Sequence, residues 1–273
     1  MGKTFYQRIR PFVPNLQLSI SHVEPDKRLN VRLRQHLGLV ARGALSYEPR
    51  YVRALRSLIC EGQSIFDVGA NIGFYSVLFS GWVGSSGRVV AYEPDSNNLK
   101  LLERNVAANK CANVSIRNSA LAGKPGTASF STDPATGATG HLGAGATYGE
   151  TLFGSGREIL VEVEVSSLDH EVELWGAPDL VKMDVEGGEF DALSGGTQTL
   201  RQHRPLVVSE LSNNEAHGPA TANHALKLLR ELDYVAWDLD SGERVRDGQL
   251  VWTILAVPAE RAAEPGILSS LSA

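Results

Sequence analysis

The stretch Ser64-Ile65-Phe66-Asp67-Val68-Gly69-Ala70-Asn71-Ile72-Gly73 decides how the rest of the chain is read. Ser64–Gly69 reads as a short apolar strand that ends in a glycine turn, and a helix is expected over Ile72–Ser80. Glycines at such a turn allow close approach of a ligand to backbone. A helix that starts there also offers unpaired N–H groups to an anion, here a carboxylate. A dinucleotide fingerprint, G-x-G-x-x-G, would need glycine at positions 71 and 74. Those positions hold Asn71 and Phe74, so the glycine that lets a pyrophosphate approach is missing. Taken alone, the turn is equally a plain tight connection between strand and helix.

Working outward, strand and helix patterns alternate, which indicates a largely parallel sheet with helices on both faces. Arg88–Glu93 reads as a second strand, closed by Pro94. Asp95 or Ser96 then caps a helix to about Asn109, with Leu99, Leu102 and Val106 on one face. Asn113–Asn118, Leu180–Val185 and Leu206–Leu211 read as further strands, with helices over Gly188–Leu193 and Ala220–Leu232. Ala128–Ser131 and Ile159–Val165 look like an extra pair, half-exposed because Val and Glu alternate. Tyr234–Leu239 and Leu250–Val257 close the sheet as adjacent strands around Ser241-Gly242. That closing pair separates this sheet from a plain dinucleotide fold.

Two further places carry chemistry. Glu93 ends the second strand, 24 residues after Gly69, where an acid can accept hydrogen bonds from ribose hydroxyls. Its structural alternative is a strand-end carboxylate near solvent. The end of the third strand, Asn118-Ser119-Ala120, lies beside the adenine by the same geometry, with Ser119 as the contact. A nucleoside ligand with an amino-acid end and no phosphate, S-adenosylmethionine, tolerates a side chain at Asn71. The expected cofactor contacts are Asp67, Gly69, Asn71, Gly73, Glu93, Ser119 and Asp184.

The second place is Val181-Lys182-Met183-Asp184-Val185-Glu186-Gly187-Gly188-Glu189. Strand periodicity puts Lys182, Asp184 and Glu186 on one face. Ligands of open α/β sheets bind outside the carboxyl ends of the strands, so Asp184 and Glu186 face the reacting centre. Asp184 is the expected base or orienting group, with Lys182 fixing it from behind. An internal Lys182–Asp67 or Lys182–Asp184 ion pair is the structural alternative, since buried charges are rarely unpaired. Glu186, Glu210 and His141 are the other candidate bases. Asp184, Glu186 and Glu210 are also candidate ligands for a divalent cation.

Composition narrows the class. The chain has 273 residues, enough for one α/β domain with an extension. Cys60 and Cys111 form no C-x-x-C pair, so both read as ordinary core thiols in a reducing compartment. No apolar run is long enough for a membrane helix, and no secretory leader is recognisable, so a cytoplasmic protein without a membrane partner is expected. Residues 1–60 carry a net charge of +8, against −13 for the remainder. The basic extension over 1–45 is either a solvated helical arm or an arm that docks on an acidic partner, including a second copy of the chain. No reader motif accompanies it, so no nucleic-acid partner is expected. In residues 131–156, 18 of 26 positions are Gly, Ala, Ser or Thr, which suits either a substrate-covering lid or a disordered insertion.

The blocks DVGANIGFYS, AYEPD, NSALAG, the Ser166-Ser167-Leu168-Asp169 turn and VKMDVEGGEFDALSG resemble the FkbM family of methyltransferases. The likeness runs over about residues 46–257. It implies a class I methyltransferase (Rossmann-like) doubly wound α/β sheet over 46–258, followed by a C-terminal tail over 259–273. It also implies S-adenosylmethionine as cofactor and O-methylation of a hydroxyl on a sugar or secondary metabolite. A nicotinamide-dependent oxidoreductase and a non-catalytic nucleoside-binding module are the competing readings. The first is disfavoured by Asn71 and Phe74.

Overall fold

The structure is a computed structural model that describes residues 12–21, 26–42, 49–132, 140–143, 159–211 and 219–271. In chain order, β1 (Gln17–Ser21) and β2 (Arg28–Arg32) come first, then α1 (Leu37–Arg42) and α2 (Pro49–Leu58). The parallel units follow as β3 (Ser64–Val68), α3 (Phe74–Val83), β4 (Arg88–Tyr92), α4 (Ser96–Ala108) and β5 (Val114–Arg117). Next come four strands, β6 (Ala120–Leu121), β7 (Gly126–Thr132), β8 (His141–Leu142) and β9 (Ile159–Ser166). The chain returns through α5 (Leu168–Trp175), β10 (Leu180–Met183), α6 (Glu189–Ser194), α7 (Thr197–Gln202) and β11 (Leu206–Glu210). It closes with α8 (Pro219–Glu231), β12 (Tyr234–Asp238), β13 (Thr253–Pro258) and α9 (Pro265–Leu271).

The central sheet has seven strands in the order β12-β13-β11-β10-β3-β4-β5. β13 runs antiparallel to both neighbours, and the other pairings are parallel. Successive residues of each strand feed two different cores, as a period of two requires. Ile65, Val89, Leu180, Val208 and Leu255 pack with α2, α3 and α9 on one face. Phe66, Val90, Val181, Val207 and Ile254 pack with α6, α7 and α8 on the other. The doubly wound sheet and its antiparallel closing pair are therefore as expected. A second, four-stranded sheet, β6-β9-β7-β8, projects beside it.

The N-terminal segment departs from expectation. β1 and β2 pair as antiparallel strands, so this part of the segment is not a solvated helical arm. Its basic side chains alternate with Leu29 and Val31, both fully buried, so one face joins the core. Asn105 of α4 anchors it. The Asn105 side chain accepts from the backbone N–H of Asn30 (2.6 Å) and donates to the carbonyls of Asn30 (3.0 Å) and Ile72 (2.8 Å). One buried amide thus links the strand pair to the glycine turn. The expected lid or insertion over 131–156 falls mostly outside the described residues. Within it, Ser131 and Thr132 end β7, and His141 pairs with Ser131.

Replacing Asn105 with Ala orphans the Asn30 N–H and the Ile72 carbonyl, at about 1–3 kcal/mol each. Calorimetry of Asn105→Ala is expected to show a melting point lower by roughly 5 °C or more. A fall under about 1 °C would show that the strand pair does not depend on this amide.

Candidate active site

The carboxyl ends of β3, β4 and β10 open onto a cleft. Gly69 and Asn71 line it from the turn after β3, and Glu93 and Asp95 from the turn after β4. Ser119 lines it beyond β5, Asp184 and Glu186 beyond β10, and Phe130 and Leu142 from the small sheet.

The glycine turn is bent by three left-handed residues, Gly69 (φ 73°), Asn71 (φ 51°) and Gly73 (φ 84°). A Cβ on Gly69 would stand 1.9 Å from the carbonyl oxygen of Asp184. Only glycine lets these two turns touch. The N–H groups of the turn are all engaged within the protein. Those of Gly69 and Ala70 donate to the Tyr92 carbonyl (3.1 and 2.9 Å), and that of Gly73 to the Ala70 carbonyl (2.8 Å). The Asn71 N–H donates to Glu93 Oε2 (2.7 Å), and the Ile72 N–H to Asn71 Oδ1 (2.8 Å). The expectation of free N–H groups for a ligand carboxylate is therefore corrected for residues 69–73. The turn spends its donors on bracing itself against β4.

Glu93 is the polar centre of the cleft. It is 4% exposed, and its second oxygen accepts from the Asp95 N–H (2.8 Å). Burial raises its pKa from 4.5 to about 8, against the opposing pull of those two backbone donors. Each carboxylate oxygen has two acceptor sites, so one remains open on each. Asp95 caps α4, accepting from the N–H groups of Asn97 (2.7 Å) and Asn98 (3.2 Å). Ser119 is 1% exposed, and its hydroxyl has no protein partner. An open acceptor pair and an orphaned hydroxyl in one cleft fit a nucleoside: two ribose hydroxyls for Glu93, a base edge for Ser119.

Behind the cleft lies a buried charge network. Lys182 is 2% exposed, lies 3.3 Å from Asp67 and 3.9 Å from Asp184, and donates to the Gly69 carbonyl (3.1 Å). Asp67, fully buried, also accepts from the Ser76 hydroxyl (2.6 Å). Both ion pairs weighed from the sequence are thus present.

Six expected residues line the cleft: Gly69, Asn71, Glu93, Ser119, Asp184 and Glu186. Asp67 and Lys182 sit beneath it. Gly73 lies away from the lining. A Cβ there would meet Leu102 Cδ1 at 2.5 Å, so this glycine serves helix packing. Glu210 is exposed at the end of β11, outside the lining. His141 is buried on β8, and its neighbours Gly140 and Leu142, not His141 itself, face the cleft. Phe130, Leu142 and Asn98 are lining residues that sequence reading missed. Asn98 was findable from the helix cap at Asp95; the two-residue β8 inside a Gly/Ala/Thr-rich stretch left no periodic signal. Among the described residues, no group of three His, Cys, Asp or Glu side chains could hold a metal ion. Nor is any described helix long and apolar enough to cross a membrane.

Comparison with known proteins gives the site a family. The hexuronic acid methyltransferase AglP of Haloferax volcanii is 27% identical over 186 residues, covering 67% of this chain and 68% of its own. The crystal structure of a methyltransferase FkbM from Methylobacillus flagellatus is 18% identical, with a TM-score of 0.46. It covers 93% of this chain, which spans only 58% of that one. A SAM-dependent O-methyltransferase from Thermotoga maritima is 16% identical, covering 77% of this chain and 64% of its own, with a TM-score of 0.44. The model of the methyltransferase FkbM domain matches residues 67–236, from the buried Asp67 to β12. The chain belongs to the FkbM methyltransferases, and its cofactor is S-adenosylmethionine.

Proposed function

We propose that the enzyme transfers the methyl group to a hydroxyl oxygen of a sugar or a similar polyhydroxylated metabolite, with Asp184 as the base. The observation that carries this reading is the position of Asp184. It stands half-exposed in the cleft beside the turn that holds Gly69, with Lys182 behind it. When bound, S-adenosylmethionine supplies a methyl group on a sulfonium, which is already a strong leaving group. The protein's part is orientation and removal of one proton. Asp184 accepts the hydroxyl proton as the acceptor oxygen forms its bond to the methyl carbon and the carbon–sulfur bond breaks. The products are a methyl ether, S-adenosylhomocysteine and a protonated Asp184. Lys182 is a positioning residue, holding the Asp184 carboxylate and the Gly69 carbonyl at once.

Glu93 and Ser119 are assigned to the ribose and the base. Asn71 braces Glu93 through its backbone N–H. The name of AglP, a hexuronic acid methyltransferase, supports a sugar acceptor. Cys111 is buried as expected of a core thiol, whereas Cys60 is exposed; both are unpaired, which supports work in a reducing compartment such as the cytoplasm.

Asp184→Asn keeps the shape and removes the proton acceptor. With an acceptor in hand, kcat is expected to fall about 10²-fold or more, while calorimetric affinity for S-adenosylhomocysteine stays within about threefold. Near-normal turnover of Asp184→Asn, with loss in Glu186→Gln, would move the base to Glu186.

The Glu93 proton gives an independent test. The unfolded chain loses it near 4.5 and the folded chain near 8. Between those values the folded state holds more protons, so Glu93 makes stability fall as pH rises. Glu93→Gln removes that slope, so its melting point is expected to gain on the wild type steadily across the interval. Ribose hydroxyls donate to the ionised form. Titration of S-adenosylhomocysteine near pH 7, repeated in two buffers of different ionisation enthalpy, is therefore expected to show proton release that Glu93→Gln abolishes. Proton uptake, or release unchanged in the variant, would refute the ribose assignment.

A further inference from the structure

We infer that Arg32, on β2 and ahead of the residues matched by the family model, is a positioning residue for the ribose: it holds the first turn of α4 and, through that turn, Glu93. The inference rests on the assignment of Glu93 to the ribose hydroxyls and names what keeps that carboxyl group in place.

The cleft takes part of its wall from the start of α4. Asp95, the cap of this helix, and Asn98, in its first turn, both line the cleft. The Asp95 N–H donates to Glu93 Oε1 (2.8 Å), while Asp95 Oδ1 accepts from the N–H groups of Asn97 and Asn98. Cap and carboxyl group are therefore one hydrogen-bonded unit, and Glu93 follows the first turn wherever it goes.

β2 runs along α4 in the opposite direction and meets it at three levels. At the far end the Arg28 N–H donates to Asn109 Oδ1 (2.9 Å), and the Arg28 carbonyl accepts from Asn109 Nδ2 (2.7 Å). In the middle the Asn30 backbone meets Asn105. At the near end Arg32 Nη2 donates to the Asn97 carbonyl, and Nη1 to Gln35 Oε1. Residues 28 to 32 span about 13 Å of strand and residues 97 to 109 about 18 Å of helix, so the strand backbone falls about 5 Å short of the first turn. The Arg32 side chain spans that gap. Its backbone is engaged elsewhere, with His36 (2.9 and 3.1 Å).

Electrostatics separates this contact from ordinary helix stabilisation. The dipole at the start of a helix favours anions, so a cation there adds little to α4 as a helix. Burial lowers the Arg32 pKa, and the Asp95 carboxylate opposes that shift. The guanidinium is thus retained by the same cap that braces Glu93. Its planar fork holds the Asn97 carbonyl in a fixed direction.

The test is calorimetric titration of the full chain with S-adenosylhomocysteine and with its 2′-deoxy and 3′-deoxy analogues. The wild type is expected to prefer the ribose form about tenfold or more. In Arg32→Met that preference is expected to fall below about threefold, because the affinity for the ribose form drops while that for the deoxy forms changes little. Arg32→Gln is expected to behave in the same way, so either variant with a cooperative melt suffices. Arg32→Lys keeps the charge and a donor, and should retain a preference of about fivefold or more. Asn109→Ala, which frees only the far end of α4, should lower the melting point and leave the preference at the wild-type level. Arg32→Met with the wild-type preference overturns the inference, as does an equal loss of affinity for ribose and deoxy forms, the mark of a merely structural role. So does loss of the preference in Asn109→Ala. A wild type that does not distinguish the analogues would strike the ribose assignment of Glu93 itself, and the role of Arg32 with it.

Discussion

The site depends on one buried ion pair. Lys182 and Asp67 face each other in register on neighbouring parallel strands, 3.3 Å apart and 2% and 0% exposed. Two charges out of water are costly, and such a pair holds only with good geometry and further hydrogen bonds. Here the Ser76 hydroxyl serves Asp67, and the Gly69 carbonyl and Asp184 serve Lys182. The ring of Tyr75, 5.2 Å from the ammonium, covers one side. A pair of this kind adds little net stability, but it fixes relative position. It ties the glycine turn that lines the cleft to the strand end that presents Asp184. The Asp184 N–H to Val68 carbonyl bond (3.1 Å) and the missing Cβ of Gly69 bring the same two turns into contact.

Glu93 is the counterpart on the other side of the cleft. Its carboxyl group is dry and is met by two backbone donors, with Lys182 as the weakest of the influences on it. A group held this way is ready to change its protonation when a ligand brings hydroxyl donors. The two sides therefore differ in kind. Beneath β3 and β10, charge is compensated and rigid; beside β4, burial favours the neutral carboxyl group, which responds to a ligand.

Much of this was legible in the sequence, for physical reasons. Strand-then-helix alternation follows from burial on both faces of a parallel sheet, and Ile65, Phe66, Val89 and Val90 show it residue by residue. Gly69, Asn71, Glu93 and Asp184 were found because carboxyl ends of strands are where an open sheet admits a ligand. Side-chain direction past a strand end was not legible. Periodicity placed Lys182, Asp184 and Glu186 on one face, but β10 ends at Met183 and Glu186 is left-handed (φ 51°). Lys182 therefore points into the core while the two acids reach the cleft. The fate of the N–H groups of Gly69, Ala70 and Asn71 was hidden as well, since their acceptors, Tyr92 and Glu93, lie some twenty residues away. The β1–β2 strand pair was misread because the arginines of β2 masked the alternation of Leu29 and Val31.

The central claim is that the buried pair aligns the cofactor turn with Asp184. Its most direct test is calorimetric titration of S-adenosylhomocysteine into the double variant Asp67→Asn/Lys182→Met, which removes both charges together and avoids stranding one of them. Circular dichroism and a cooperative melt establish that the variant is folded. The account predicts that this folded variant binds the ligand at least about tenfold more weakly than the wild type, because the Gly69 carbonyl has lost its donor. Wild-type affinity in the folded double variant would contradict it.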